Sequence, residues 1–141
     1  MNIFATIGLG LMLAGTANAQ TVEREYLHPW EPEIGYAGVV RHGDKLYLSG
    51  IVAEGETMEV QMTAVYAEIG RVLAARGLDS RDIIKETVYT RDIEATKTAA
   101  GTVRKAFYKE AAYPSASWVQ IERLYTPEAL IEIEVEVALR P

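Results

Sequence analysis

The strictest pattern in the chain is an alternation of apolar and acidic residues over 130–139. The apolar positions are Ile131, Ile133, Val135, Val137 and Leu139, and the acidic positions are Glu132, Glu134 and Glu136. Because successive side chains of a β-strand point to opposite faces of a sheet, this alternation predicts a strand with one buried face and one face of glutamates. The fold is therefore expected to contain a sheet that other elements cover on one side.

Two segments have the apolar spacing of helices instead. The first stripe follows a capping residue at Thr57, ends at Gly77, and consists of Met58, Met62, Val65, Ile69, Val72 and Leu73. The second ends before Pro114 and consists of Ala99, Val103, Ala106 and Phe107. Spacings of three and four residues place each stripe on one side of an α-helix. Within the second helix, Gly101 is expected to weaken the structure locally.

Short runs rich in β-branched and aromatic residues supply the rest of the predicted sheet. These runs are residues 39–42, 45–50, 83–90 and 117–122. The first two flank the turn dipeptide Gly43-Asp44 and predict a hairpin. The predicted order is ββαβαββ, an α+β fold in which a single sheet carries two helices on one face.

The N-terminal segment differs from the rest of the chain. Residues 1–19 contain no charged side chain, and an apolar run over 3–15 is followed by Ala17-Asn18-Ala19, a small-x-small site of the kind that signal peptidase cleaves. The run is shorter than the roughly 20 apolar residues of a membrane-spanning helix. The sequence therefore predicts a signal peptide cleaved after Ala19 and a periplasmic or secreted protein. Because no Lys or Arg precedes the run, a cytoplasmic protein is the alternative.

Residues 20–33 follow the predicted leader and contain Pro29 and Pro32 among mixed charges without a period. They are predicted as an extended lead-in rather than a helix or strand. The folded domain is expected to cover residues 34–141, a length that fits one compact core.

Composition removes several classes of chemistry. The chain has no Cys, two His and a net charge of -6. A chain without Cys has no thiolate nucleophile, disulfide or Cys-ligated metal, and His28 and His42 lie too far apart in sequence to suggest a metal site. An acidic chain without a Lys/Arg cluster is not expected to bind nucleic acid or, after leader removal, a membrane. No phosphate-binding or dinucleotide-binding motif is present, so neither a cofactor nor a metal is predicted.

The glutamates of the alternating strand have two interpretations. In one they form the solvated face of an edge strand, and in the other partial burial makes one of them a general acid or base. Neighbours on one face of a strand lie about 7 Å apart, so their repulsion needs water or cations to relieve it. Paired acids also occur in glycosidases, but one strand does not place acids on both sides of a sugar. Spacing alone does not select the reactive glutamate.

A series of short motifs extends this interpretation. In chain order they are Ile34-Gly35-Tyr36, Gly43-Asp44-Lys45-Leu46-Tyr47-Leu48-Ser49-Gly50, Gln61, Gly77-Leu78, Asp82-Ile83-Ile84-Lys85, Val88-Tyr89, Pro114 and Ile131-Glu132-Ile133-Glu134. Their order and spacing over residues 33–139 resemble the RidA family, also called YjgF-like proteins. The resemblance implies a homotrimer of chorismate-mutase-like subunits with ligand clefts between neighbours. Active members hydrolyse reactive enamines and imines, such as 2-aminoacrylate, to 2-keto acids and ammonia without a cofactor.

Several functional positions of that family are retained. By the resemblance, the family's tyrosine falls on Tyr36, its Ser-Gly pair on Ser49 and Gly50, and its glutamate on Glu132. Tyr36, Ser49 and Gly50 are then expected to bind the substrate. Glu132 is expected to be the catalytic residue.

Two functional positions depart from the family. The arginine that pairs with the substrate carboxylate is replaced by Ala116, and the asparagine of the cleft falls on Gly101. Alternation places Trp118 on the same face as Ala116, which predicts either plain packing or a reshaped, more apolar substrate site. Arg104 and Arg123 are candidates to replace the lost charge. Three functions stay open: a trimer that binds a small molecule without catalysis, an enamine/imine deaminase, and a scaffold trimer.

Overall fold

In the computed structural model, which describes residues 21–109 and 112–140, six strands form a single sheet. The strands are β1 (Val22–Glu25), β2 (Val39–His42), β3 (Lys45–Ile51), β4 (Ile83–Thr90), β5 (Ser115–Gln120) and β6 (Ile131–Ala138). The helices are α1 (Glu31–Ile34), α2 (Met58–Ala74), α3 (Ile93–Ala100) and α4 (Val103–Phe107), with a 3₁₀ turn at Ser80–Asp82. The predicted α+β class is confirmed.

The strand order in the sheet is β1-β2-β3-β6-β4-β5. The ladder between β4 and β5 is parallel, and the other four are antiparallel. The alternating strand β6 therefore lies between β3 and β4 in the interior of the sheet. The interpretation of its glutamates as part of an edge strand is wrong.

The core lies between the sheet and helix α2. The apolar residues of β6 from Ile131 to Val137 are at most 3% exposed, and Met62, Val65 and Ile69 of α2 are at most 1% exposed. Thr57 caps α2 by accepting a hydrogen bond from the Val60 N–H at 3.3 Å. The alternation of β6 and the stripe of α2 thus predict their buried faces correctly, and the glutamates of β6 lie half-buried on the uncovered face.

Three predicted element boundaries need correction. The segment 20–33 is not without regular structure, because β1 pairs with β2 and α1 begins at Glu31. Strand β5 begins at Ser115, two residues before the predicted start at Ser117. The predicted second helix is divided into α3 and α4 at Gly101, which is the C-cap of α3.

The break at Gly101 changes which side chain enters the core. Ala106, which the apolar stripe predicts to be buried, is exposed, and Tyr108 is fully buried in its place. Phe107 is half-buried and packs against Tyr66, with ring centroids 4.6 Å apart. The second stripe therefore does not describe one continuous helix.

The predicted leader, residues 1–19, lies outside the described residues. Across the described ranges, α2 is the longest helix, with 17 residues. No helix in those ranges has the length and apolar content to cross a membrane.

Candidate functional site

A cavity of about 460 Å³ lies beside Glu132. Its lining residues are Trp30, Ile34, Tyr36, Ser49, Gly50, Val52, Tyr125, Thr126 and Glu132. They come from α1 and the turns beside it, from β3 and the residue after it, from the loop before β6, and from β6 itself. The structure thus brings four predicted site residues, Tyr36, Ser49, Gly50 and Glu132, to one cavity.

The carboxylate of Glu132 lies directly against Gly50. A Cβ atom built on Gly50 would lie 1.9 Å from Oε1 of Glu132, so a side chain at position 50 would overlap the carboxylate. The ladder between β3 and β6 shifts register between Leu48 and Ile51, at this same place. The irregularity of β3 and the missing side chain of Gly50 together make the recess that holds the carboxylate.

The Glu132 carboxylate is partly desolvated and is not paired within the described residues. Burial, and then the negative charge of Glu134, raise the pKa of Glu132. Tyr89 donates its hydroxyl to Glu134 at 3.2 Å, and no donor within the described ranges is bonded to Glu132. A half-buried carboxylate with accessible oxygens can exchange a proton with a ligand or with water.

Tyr36 and Ser49 supply hydroxyl groups to the same cavity. Burial, and then nearby acidic groups including Glu132, raise the pKa of Tyr36, so its phenol stays protonated at neutral pH and can donate a hydrogen bond. The Ser49 hydroxyl donates to the carbonyl of Ala37 at 2.8 Å. Its oxygen lone pairs remain available to accept a hydrogen bond from a ligand.

A second carboxylate, Glu31, fixes the loop that forms the cavity wall. Glu31 is 2% exposed and accepts hydrogen bonds from the N–H groups of Leu27 at 2.9 Å and Gly38 at 2.8 Å. Trp30 and Tyr36 are held on this loop with their rings edge to face, at a centroid distance of 6.0 Å. The segment that the sequence predicts as a lead-in is therefore part of the candidate site.

Ala116 and Trp118 do not join this cavity within one chain. Ala116 is aligned with Glu86, and Trp118 with Val88, in the ladder between β5 and β4. Both partners are buried under the helices, on the opposite face of the sheet from Glu132. Trp118 packs against the core, while Ala116 is exposed. A role for either residue beside Glu132 needs a second subunit and stays a prediction.

Arg104 is engaged with a buried glutamate. Its Nε atom donates to Oε2 of Glu86 at 2.8 Å, and Oε1 of Glu86 accepts from the hydroxyls of Tyr66 at 2.7 Å and Tyr108 at 2.9 Å. Glu86 is 0% exposed, and burial, followed by the charge of Glu86, raises the pKa of both tyrosines. The guanidinium also lies over the Trp118 ring, 5.6 Å from its centroid. Arg104 thus neutralises Glu86, and within one chain it does not supply a cation to the cavity.

The other two positions singled out from the sequence also lie away from the cavity. Gly101 is exposed at the end of α3, and Arg123 is exposed in the segment between β5 and β6. Neither lines the cavity.

The walls of the cavity contain residues that the sequence reasoning missed. These are Trp30, Ile34, Val52, Tyr125 and Thr126. The first four are large apolar or aromatic residues with at least 37% exposure. A signal for Trp30 was present, because it lies between Pro29 and Pro32 where neither a helix nor a strand period explains a large aromatic side chain. No cluster of three potential metal ligands occurs among the described residues.

Comparison with known proteins gives consistent matches. The sequence pattern of the family described as Endoribonuclease L-PSP matches residues 28–139. The RutC family protein slr0709 of Synechocystis is 30% identical over 89 residues, which are 63% of this chain and 66% of that protein, slightly less than two thirds of its length.

Solved structures share the fold. Rv2704 of Mycobacterium tuberculosis, described as a member of the YjgF/YER057c/UK114 family, superposes with a TM-score of 0.75 at 22% identity, covering 84% of this chain and 100% of that one. NMB1025 of Neisseria meningitidis, described as a member of the YjgF family, gives a TM-score of 0.71 at 27% identity, covering 86% of this chain and 97% of that one.

The sheet order, the helices on one face and the cavity of Tyr36, Ser49, Gly50 and Glu132 define a protein of the YjgF-like class. The family pattern covers most of the chain, so the chain belongs to the Endoribonuclease L-PSP family, also called the RidA family. The resemblance found in the sequence is confirmed.

Proposed function

We propose that this protein is a homotrimer that binds a small molecule in clefts between subunits and hydrolyses reactive enamines or imines there. Amino-acid-derived substrates would give 2-keto acids and ammonia. Glu132 is the proposed catalytic residue, and Tyr36, Ser49 and Gly50 form the ligand-binding surface around it.

One observation carries the proposal: a half-buried carboxylate with no bonded donor in the described chain borders a cavity. A carboxylate that serves only the fold is normally paired or solvated, because leaving it desolvated and unpaired costs stability. Retention of such a group beside Gly50 is typical of a site where the carboxylate acts on a ligand.

Hydrolysis of an imine transfers both protons of one water molecule to nitrogen. The carbon of the C=N bond gains a bond to the water oxygen, and the C–N bond then breaks to release ammonia. Glu132 as a carboxylate accepts one proton of the attacking water and, as a carboxylic acid, gives it to nitrogen. The hydroxyl of the resulting carbinolamine loses the second proton, which reaches nitrogen through the same carboxylate as the C–N bond breaks. A pKa raised above its ordinary value of 4.5 supports both steps near neutral pH.

Trimer formation is supported by the unequal covering of the sheet. Helices cover one face, whereas the other face carries the half-buried glutamates of β6 and Tyr47, which is 38% exposed. Burial of such a face against further copies of the chain would complete a layered architecture. In the proposed assembly, β5 of a neighbouring subunit brings Ala116 and Trp118 to the cavity.

The family description names an endoribonuclease, but a small-molecule substrate is favoured for this chain. The described residues that line the cavity include no Lys or Arg, and the chain has a net charge of -6. Binding to an RNA backbone depends on cationic groups that neutralise phosphates.

Ligand binding without catalysis is the second candidate. The observation that favours it is Ala116, which replaces the arginine expected for amino-acid-derived substrates. Without that guanidinium, binding of a carboxylate loses a charge-assisted pair worth roughly 1.5 to 3 kcal/mol.

Ammonia release from imines made in situ distinguishes the two candidates. A lyase in excess supplies 2-aminoacrylate, and a flavin-dependent amine oxidase with catalase supplies phenylmethanimine from benzylamine. We expect the protein to accelerate ammonia release from at least one imine, with the acceleration lost in Glu132→Ala. Glu94→Ala, on helix α3 with a 76% exposed side chain and outside the cavity, should keep it. If the protein accelerates ammonia release from neither imine, the proposed hydrolysis is wrong.

The same assay tests the missing arginine. We expect Ala116→Arg to increase the rate with 2-aminoacrylate by about tenfold, because a guanidinium pairs with the substrate carboxylate. A rate that does not change would contradict the proposed position of Ala116 in the cleft of a neighbouring subunit.

We also propose export to the periplasm, from the apolar run and the small-x-small site before Gln20. Mass spectrometry of periplasmic protein should find a mature chain that begins at Gln20. A chain with Met1 intact in the cytoplasm would contradict export.

A further inference from the structure

Charged side chains are unevenly distributed between two cavities of the molecule. Arg24, Arg41, Arg76 and Arg140 all line a separate groove of about 630 Å³, together with two glutamates. The cavity at Glu132 has one carboxylate, and no Lys, Arg or His belongs to its described lining. An anionic ligand in that cavity would therefore face Glu132 without a neutralising cation from the same subunit.

The walls of the cavity at Glu132 are aromatic and apolar. Trp30 is 44% exposed and Tyr125 is 81% exposed, and Tyr36 packs edge to face on Trp30. Ile34 and Val52 add aliphatic surface and are also exposed. Exposed apolar side chains gathered around one concave surface usually mark a binding site. Aromatic faces in addition attract cations through their negative electron density.

The carboxylate and the rings favour the same kind of ligand. Glu132 lies in the recess over Gly50 and has no bonded donor in the described ranges, so a cationic nitrogen would supply its missing partner. A hydrophobic substituent on the carbon adjacent to that nitrogen would lie against Trp30 and Tyr125. A ligand carboxylate at the same place would be repelled by Glu132.

We propose that the cleft selects amines and iminium ions that carry an apolar or aromatic substituent and no carboxylate. The proposal rests on the proposed function and specifies its substrate class. The reaction would convert an iminium ion and water to a ketone or aldehyde and ammonium, with the water oxygen bonded to the former C=N carbon. Glu132 pairs with the iminium nitrogen before the attack, takes one proton from the attacking water and gives it to nitrogen. As the C–N bond breaks, Glu132 takes the second proton from the hydroxyl of the carbinolamine, and the released ammonia takes that proton to become ammonium.

Binding of three small probes tests this selectivity independently of catalysis. Benzylamine, benzyl alcohol and benzoate have the same ring and differ in charge, so calorimetric titration of the whole protein separates charge from shape. At pH 7 we expect benzylamine to bind about tenfold more tightly than benzyl alcohol, and benzoate to bind most weakly. Tighter binding of benzoate, or no measurable binding of benzylamine at millimolar concentration, would overturn the proposal.

Variants assign the selectivity to particular side chains. Glu132→Gln should lower the affinity for benzylamine about tenfold and leave benzyl alcohol unchanged, because only the charge is removed. Trp30→Ala should weaken both probes by a similar factor, since it removes the shared wall. Glu94→Gln removes the same charge at an exposed position outside the cavity and should change neither. Equal loss of benzylamine binding in Glu94→Gln and Glu132→Gln would contradict a specific pair at Glu132.

The kinetic assay separates failure of this inference from failure of the proposed function. If the protein accelerates hydrolysis of phenylmethanimine more than that of 2-aminoacrylate, each relative to its uncatalysed rate, the hydrolytic function and the substrate class are both supported. If 2-aminoacrylate is the better substrate, the hydrolytic function stands and the substrate class is wrong. If neither rate rises, the hydrolytic function fails, and the three probes alone decide whether the cleft selects amines.

Discussion

Glu86 on β4 and Glu132 on β6 lie on adjacent strands of one sheet but on opposite faces, and their surroundings are opposite too. Glu86 is fully buried and accepts three hydrogen bonds, from two tyrosines and Arg104. Glu132 is half-buried, borders a cavity, and has no bonded donor in the described part of the chain. The carboxylate of Glu86 thus stabilises the fold on one face of the sheet, whereas the carboxylate of Glu132 is accessible to a ligand on the other face.

The difference follows from what desolvation costs a charge. A buried carboxylate is tolerated when a cation and donors satisfy it, and removing either partner then leaves an uncompensated group. A desolvated carboxylate without such partners is itself a source of instability, which a bound ligand can relieve. The two glutamates should therefore respond to substitution in different ways.

The largest effect is expected at Glu86. Glu86→Leu removes the acceptor of Arg104 and both tyrosine hydroxyls, and should lower the free energy of unfolding by about 3 to 5 kcal/mol. Urea denaturation at one protein concentration measures this. The control is Glu94→Leu, because the Glu94 side chain is 76% exposed, and it should change stability by less than about 0.5 kcal/mol. Equal losses in the two variants would show that the buried cluster does not stabilise the fold.

Gly50→Ala should affect the cavity more than the fold. The added Cβ would lie 1.9 Å from the Glu132 carboxylate and would displace a flexible side chain rather than backbone. We expect ammonia release to fall by about tenfold or more, with a stability loss near 1 kcal/mol. In Gly70→Ala, on helix α2, the added Cβ meets its nearest atom at 3.6 Å. That control should keep full activity, and an active Gly50→Ala variant would argue against Glu132 as the catalytic residue.

The smallest effect is expected from Glu134→Gln. Burial is the larger cause of the raised pKa of Glu132 and the charge of Glu134 the smaller one, so this variant should lower that pKa only in part. The folded chain holds the Glu132 proton more tightly than the unfolded chain, so protonation of Glu132 stabilises the fold. This stabilisation is complete below the ordinary pKa of 4.5 and is lost as pH rises through the raised pKa. NMR titration of the carboxyl groups should show that the pKa of Glu132 lies closer to its ordinary value in Glu134→Gln. An unchanged Glu132 pKa would exclude the electrostatic coupling.

Periodicity predicted the parts of the fold that have one buried face. The alternation of β6 and the stripe of α2 each identify their core positions, because burial of one face is what produces the period. Strand β1 has no such signal, since all four of its residues are exposed and it joins the sheet through its backbone pairing with β2. The boundary between α3 and α4 falls at Gly101, where the sequence predicts a local weakening of the helix. The burial of Tyr108 in place of Ala106 depends on packing against the core, which helix propensity does not predict.

The sequence predicts the site residues that belong to motifs, but not those that lie in loops. Tyr36, Ser49, Gly50 and Glu132 belong to recognisable motifs and meet at one cavity. Trp30 and Tyr125 come from irregular segments, and no period relates them to β6. The role of Glu86 emerges only when partners from other elements, such as Tyr66 of α2, converge on it.

The most direct test of this account is the free energy of unfolding of two charge-removing variants, Glu132→Gln and Glu86→Gln, in urea at pH 7 and one protein concentration. Glu132→Gln should be more stable than the unmodified protein, because it removes a partly desolvated charge that has no partner in the described chain. Glu86→Gln should be less stable by about 1 to 3 kcal/mol, because it weakens charge-assisted hydrogen bonds to Arg104 and the tyrosines. Changes of the same sign in both variants would contradict the division of roles between the two faces of the sheet.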